Sequence, residues 1–113
     1  NPTILVSASQ GNKPLAFELY QNYPNPFNPR TTIKYDLPVV SRVHIRLYNI
    51  LGQEVRALVD DIEDSGFKTV QWNGTNSAGN PVASGVYLYR IEASAVSDAS
   101  KSFTQVKKML LLR

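Results

Sequence analysis

In RVHIRLYNI, residues 42–50, apolar and polar side chains alternate. Val43, Ile45 and Leu47 point one way, and His44, Arg46 and Tyr48 point the other. A period of two rests one face of a β-strand on a core and leaves the other in water. LGQ follows with a glycine for a tight turn, then EVRALV, so residues 42–60 read as a β-hairpin. In FKTVQW the same period puts Val70 and Trp72 in the core, with Phe67, Thr69 and Gln71 on the opposite side. Runs of this kind predict strands over residues 15–20, 31–37, 42–50, 53–60, 67–72, 85–93 and 102–112. Between them, DDIEDSG reads as a polar connection, and NGTNSAGNPVASG, residues 73–85, as a long turn with three glycines, three asparagines and a proline. Helix signals are scarce. The pattern predicts an all-β fold, an immunoglobulin-like antiparallel β-sandwich of about seven strands.

One segment breaks the alternation. YQNYPNPFNPRTTIKYDLP sets Pro24, Pro26 and Pro29 among Asn22, Asn25 and Asn28, with Tyr23 and Phe27 between them. Each proline removes a backbone donor, fixes φ, and biases the preceding residue toward extended backbone. The segment is therefore neither a helix nor a central strand. It is expected to join the first two strands across one end of the sandwich. Phe27 and Tyr23 would anchor it, and the asparagines would hydrogen-bond their local turns. The end of the chain, KKMLLLR, poses a second question. Met109 and Leu111 face one way along a strand, and Leu110 and Leu112 the other. A strand apolar on both faces is either central in its sheet or leaves one face for a partner.

At 113 residues, with 42% hydrophobic and 19% charged residues, the chain suits one globular domain. Residues 15–113 are expected to form it, and residues 1–14 read as a linker from something larger. That linker lacks the ordered regions of a signal peptide, and no apolar run approaches the ~20 residues of a membrane span. The net charge of +3 is spread along the chain, apart from Lys101, Lys107, Lys108 and Arg113 near one end. Such a spread reads as a solvated surface rather than a nucleic-acid footprint.

Candidate chemistry is thin. There is no cysteine, so disulfides, thiolate zinc sites and cysteine nucleophiles are excluded. The single histidine, His44, sits on the solvent side of a strand beside Arg46, a poor metal site. Asp60, Asp61, Glu63 and Asp64 form the one acidic cluster, but its spacing fits no calcium loop and reads as a solvated hairpin loop. The sequence holds no glycine-flanked serine elbow, facing carboxylate pair or phosphate loop. A non-catalytic domain without cofactor or metal is expected. Tyr20, Tyr23, Phe27, Tyr35, Tyr48, Trp72, Tyr87 and Tyr89 could instead stack on sugars. Against that, Trp72 reads as core and the tyrosines as half-buried on strands.

These motifs together carry a family resemblance. NYPNPFNPRTTIKYDLP resembles the opening signature of the type A C-terminal sorting domain of the bacterial type IX (Por) secretion system. VHIRLYNILGQEVRAL is similar to that family's hairpin, with Gly52 and Gln53 at its turn. GFKTVQWNGTNSAGNPVASGVYLYRI is similar to its tryptophan–glycine turn and following strand, and KKMLLLR to its terminal motif. WNGTNSAGNPVASGVY also resembles the immunoglobulin-like domain of the flagellar hook-capping protein. Arg30 stands where many relatives have threonine, a change that a turn should tolerate.

The resemblance implies a secretion signal at the end of a larger exported protein. Its upstream cargo would reach the periplasm by an N-terminal signal. An outer-membrane translocon would then read the signal, and a surface peptidase would remove it within or before residues 1–14. The cargo would end up secreted or on the cell surface. The recognition residues would be Lys107, Lys108, Met109, Leu110, Leu111, Leu112 and Arg113, read by strand addition at an edge. The corner Tyr23, Pro24, Asn25, Pro26, Phe27, Asn28 and Pro29 would be the family signature. A carbohydrate-binding or structural accessory module of a secreted enzyme is the alternative.

Overall fold

The computed structural model describes residues 13–113 of the chain, and every regular element among them is a strand. Seven strands follow one another: β1 Glu18–Leu19, β2 Thr31–Leu37, β3 Ser41–Tyr48, β4 Glu54–Glu63, β5 Gly66–Trp72, β6 Gly85–Ala95 and β7 Ser102–Leu111. They form two antiparallel sheets, one ordered β1-β2-β5 and the other β4-β3-β6-β7. This is an immunoglobulin-like β-sandwich, as the alternation predicts. Most of the expected linker, residues 1–12, lies outside the described residues.

The core is the set of inward positions that the period of two picks out. From the first sheet come Ile33, Tyr35, Leu37 and Trp72, and from the second Val43, Ile45, Leu47, Tyr89, Ile91, Met109 and Leu111. Burying each large side chain is worth roughly 1.5–3 kcal/mol. Phe67 lies on the outer side of β5, with 62% of its surface exposed, as its parity requires.

The structure differs from the sequence reading in β4 and β1. β4 runs to Glu63, so most of the predicted DDIEDSG connection is strand. Only Asp64 and Ser65 separate β4 from β5, which starts at Gly66 with φ +152°. β4 is an edge strand, where charged residues are an ordinary means of blocking unwanted pairing, so its acids imitate a loop. Its pairing with β3 also slips twice, between Ile45 and Arg46 and between Leu47 and Tyr48, which blurs the alternation along EVRALVDDIE. β1, in turn, is only two residues long, and Leu15 is fully exposed.

One buried side chain joins the two sheets. Tyr89 of β6 donates its hydroxyl hydrogen to the Tyr20 carbonyl at 2.8 Å and accepts the Asn22 N–H at 2.8 Å. It thereby satisfies two backbone groups just where the chain leaves β1. Burial pushes the Tyr89 phenol up to about 12.

Candidate recognition site: the corner and the tail

The proline segment leaves β1 and returns to β2, closing one end of the first sheet. The X–Pro bonds before Pro24, Pro26 and Pro29 are all cis. Asn22 is buried, and its side-chain amide donates to the Pro24 carbonyl at 3.2 Å and to Thr31 Oγ1 at 2.9 Å. Thr31 Oγ1 donates in turn to the Pro24 carbonyl at 2.8 Å. These bonds supply locally what the missing proline donors cannot. Phe27 is the anchor, with 2% of its surface exposed, and it packs on Trp72 at 5.7 Å between ring centroids. Tyr23 does not anchor the segment: it pairs through its backbone with Thr32 and leaves 80% of its surface in solvent.

The corner also reaches the end of the chain. The Phe27 N–H donates to the Leu110 carbonyl, and the Phe27 carbonyl accepts the Leu112 N–H, both at 3.0 Å. Phe27 and Leu111 thus form a parallel bridge. Asn25, expected to stabilise its own turn, instead accepts the Leu110 N–H on Oδ1 at 3.0 Å. Gln21 donates its side-chain amide to the Lys108 carbonyl at 2.6 Å.

Arg113 fixes the last residue. Its backbone N–H donates to Ser84 Oγ at 2.8 Å, its Nε to the Val82 carbonyl at 2.6 Å, and its Nη2 to the Gly74 carbonyl. Gly74 has φ +77°, and a β-carbon there would lie 2.7 Å from Arg113 Nη2 and 3.3 Å from the Pro29 carbonyl oxygen. The glycine therefore serves both the left-handed turn and the close approach of corner and tail. Trp72 sits beneath this assembly, its Nε1 donating to the Thr75 carbonyl at 2.8 Å and its ring meeting Tyr87 edge-on at 5.3 Å. The hairpin joins the same end, since Ser77 donates its N–H to the Val55 carbonyl at 3.1 Å and Arg56 its guanidinium to Thr75 Oγ1. Four separate sequence motifs thus meet at one end of the sandwich.

β7 is an edge strand, so the question of a central or an open last strand is answered on the side of the edge. Its inner face is core: Met109 and Leu111 are buried, and Phe103 stacks on Phe17 with centroids 5.8 Å apart. Lys107 and Leu110 are half-buried, while Lys108, Leu112 and Arg113 are exposed. The Leu110 N–H and carbonyl point away from β6 toward the corner. Antiparallel alternation turns the N–H groups of Thr104, Val106 and Lys108 to the same outer edge. Among the described residues no strand pairs with that stretch.

The remaining candidates are spread out. His44 Nδ1 lies 3.0 Å from Asp60 Oδ1, which Arg42 also contacts at 3.1 Å. Glu63 accepts the Tyr35 hydroxyl at 2.6 Å, and burial, with this bond, drives the Tyr35 phenol far above its ordinary value. Among the described residues no group of three or more His, Cys, Asp or Glu is placed to hold a metal. None of the helix-free described chain forms a helix able to cross a membrane.

The aromatic residues divide. Tyr35, Tyr87 and Tyr89 are core, whereas Tyr20 and Tyr23 expose 42% and 80% of their surface. The sequence reading missed three groups: the Arg113 staple, and the buried polar side chains of Asn22 and Asp36. A polar residue beside an aromatic-rich strand gives no signal of burial until its partner is known.

Comparison with known proteins places this geometry. Residues 29–98, more than half of the chain, match the model of the FlgD Ig-like domain. The match leaves out the corner residues before Pro29 and the whole of β7. No curated protein matches the chain. Among solved structures, dimeric latent PorU from Porphyromonas gingivalis is similar over 83% of this chain and 9% of its own, with TM-score 0.67 and 19% identity. PorZ of the same organism, described as an essential bacterial surface component of the type-IX secretion system, is similar over 84% of this chain and 11% of its own, with TM-score 0.51 and 24% identity. FlgD from P. aeruginosa is similar over 72% of this chain and 59% of its own, with TM-score 0.56 and 23% identity. The chain spans less than two thirds of each of these proteins. The chain belongs to the FlgD Ig-like domain family.

Proposed function

We propose that the chain is a non-catalytic C-terminal sorting domain, an address by which a larger exported protein passes the outer membrane through a type IX translocon. One observation carries this reading. The proline corner and the KKMLLLR tail, the two motifs most specific to the resemblance, form one hydrogen-bonded unit outside the region shared with the FlgD Ig-like family. The likeness of the fold to PorZ, described as a surface component of the type-IX secretion system, supports it further.

An address read in the folded state needs a surface that presents backbone and side chains together. The outer edge of β7 offers the N–H groups of Thr104, Val106 and Lys108 for strand addition, with Lys108, Leu110 and Leu112 beside them to be read. The corner and Gln21 cover the edge from the Lys108 carbonyl onward, so a partner strand would run along residues 102–108 and end against Gln21 and Asn25–Phe27. The translocon and a surface peptidase are the partners of this reading, and the destination is the medium or the cell surface.

The test is export. The 113-residue chain is fused behind a periplasm-directed fluorescent reporter, in a bacterium with a working type IX system and in its translocon-deficient derivative. Reporter outside the cell only in the proficient strain supports the reading. Equal retention in both strains contradicts it.

A further inference from the structure

The outer face of the β1-β2-β5 sheet belongs to the sheet that does not contain β7, and it is built differently from an ordinary solvated face. Alternation places three cross-strand rows on it. Asp36 stands opposite Phe67, Lys34 opposite Thr69, and Thr32 opposite Gln71. Tyr20 and Tyr23 flank the far side, Tyr20 bonded through its N–H to Lys34 and Tyr23 paired with Thr32. Three aromatic rings, Tyr20, Tyr23 and Phe67, are therefore exposed by 42%, 80% and 62% around one cleft of about 730 Å³. From Thr32 to Asp36 the platform runs ~13 Å along β2 at ~3.3 Å per residue.

Asp36 sets this face apart. The residue is 7% exposed, yet among the described residues no Lys or Arg lies within salt-bridge distance of it. Its Oδ2 accepts the Tyr20 hydroxyl, which fixes that ring and raises the Tyr20 phenol above its ordinary value. Among the described residues Oδ1 has no donor, and it is not sealed from the cleft. A largely buried carboxylate with a free acceptor oxygen is costly unless something donates to it.

We propose that this face binds a neutral, extended polysaccharide chain. The inference is separable from the sorting reading, since it rests on the outer face of the other sheet and not on β7; the two meet only at Gln21, which lines the cleft and bonds the Lys108 carbonyl, and at Tyr23, which opens the corner. The exposed ring faces offer flat apolar surface of the kind that the C–H faces of sugar rings cover. Asp36 Oδ1 accepts from sugar hydroxyls, and the Lys34 ammonium and the Thr32 and Thr69 hydroxyls supply the opposite partners. The rings are separated by hydrogen-bonding groups and not by aliphatic side chains, which suits a hydroxyl-rich chain better than an apolar protein surface. Glu18 and Asp36 balance Lys34 and Lys68 around the cleft, so no net positive field is offered to a polyanion.

The 113-residue chain is run by affinity electrophoresis in gels containing hydroxyethylcellulose, xylan, galactomannan or laminarin, with alginate as the acidic polymer. We expect retardation in at least one neutral polymer, lowered tenfold or more in apparent affinity by Tyr23→Ala and by Phe67→Ala. Both side chains are exposed, so thermal melting should stay unchanged. Tyr23→Trp should keep the binding, and Asp36→Asn should weaken it. No retardation in any neutral polymer overturns the proposal, as does retardation in alginate alone or retardation indifferent to Tyr23→Ala. A dimer in solution that Tyr23→Ala dissociates, without polysaccharide binding, also overturns it and assigns the face to a second copy of the chain.

Discussion

Phe27 lies parallel to Leu111, joined to the tail by two backbone hydrogen bonds of 3.0 Å. The first inter-strand connection of the sandwich is thereby tied to its last strand, 84 residues further along the chain. Phe27 also packs on Trp72, so one residue, through its backbone and its ring, holds corner, tail and tryptophan turn together. Phe27→Ala should therefore cost about 3–5 kcal/mol, the usual range for deleting a buried phenylalanine. Urea denaturation measures it. A loss well below 1 kcal/mol would mean that the prolines and the corner's hydrogen bonds hold it without the ring.

Gly74 and Gly79 both have positive φ, +77° and +84°, but only Gly74 is crowded. Alanine at either site meets the left-handed penalty of roughly 1–2 kcal/mol. At Gly74 the new β-carbon would also displace the Arg113 guanidinium and press on the Pro29 carbonyl. Gly74→Ala should be the more destabilising of the two and should loosen the tail. Denaturant midpoints for both variants decide it, and equal midpoints would show that Arg113 swings away freely.

Tyr89→Phe removes a hydroxyl that satisfies the Tyr20 carbonyl and the Asn22 N–H. The apolar body of the side chain stays, so the loss reports on the orphaned backbone groups. It should be about 1–3 kcal/mol, read from the same denaturation curves. A neutral substitution would indicate that water replaces the hydroxyl.

Alkaline pH should unfold the domain by a related route. Burial raises the phenols of Tyr35, Tyr87 and Tyr89, with Arg113 pulling Tyr87 partly back. Folding therefore favours their protonated form. Between the ordinary value of 10.0 and about 12 for Tyr89, the unfolded chain has lost protons that the folded chain keeps. Stability should be intact below pH ~10 and fall as the pH climbs toward the folded values. Thermal melts across this interval, with the phenolate absorbance followed in parallel, check the sign. A melting temperature that holds through pH ~12 contradicts it.

Much of this fold is legible in the residue pattern because a period of two is a local signal. Ile45 and Leu47, or Val70 and Trp72, declare their side of the sheet without any knowledge of their partners. The resemblance of four motifs was legible for the same reason. Their convergence at one end was not, because it depends on partners distant in sequence, such as Asn25 with Leu110 and Arg113 with Gly74. Strand order was likewise hidden. KKMLLLR is apolar on both faces, as a central strand would be, yet it lies at an edge because the corner covers part of it. β4 shows the converse, a strand whose acids look like a loop.

The tail's place in the core determines how the sorting reading must be tested. Deleting residues 107–113 would remove Met109 and Leu111 from the core and release the Arg113 staple, so loss of export could only report unfolding. The outward positions are separable. The decisive measurement is the extracellular fraction of a reporter carrying the intact chain or the variant Lys108→Glu, Leu110→Thr, Leu112→Ser, with melting temperatures shown to match. We expect the intact chain outside the cell, only when the type IX translocon is present, and the variant held in the periplasm with export lowered at least tenfold. Export of the folded variant at the level of the intact chain would contradict an address read on the outer side of β7.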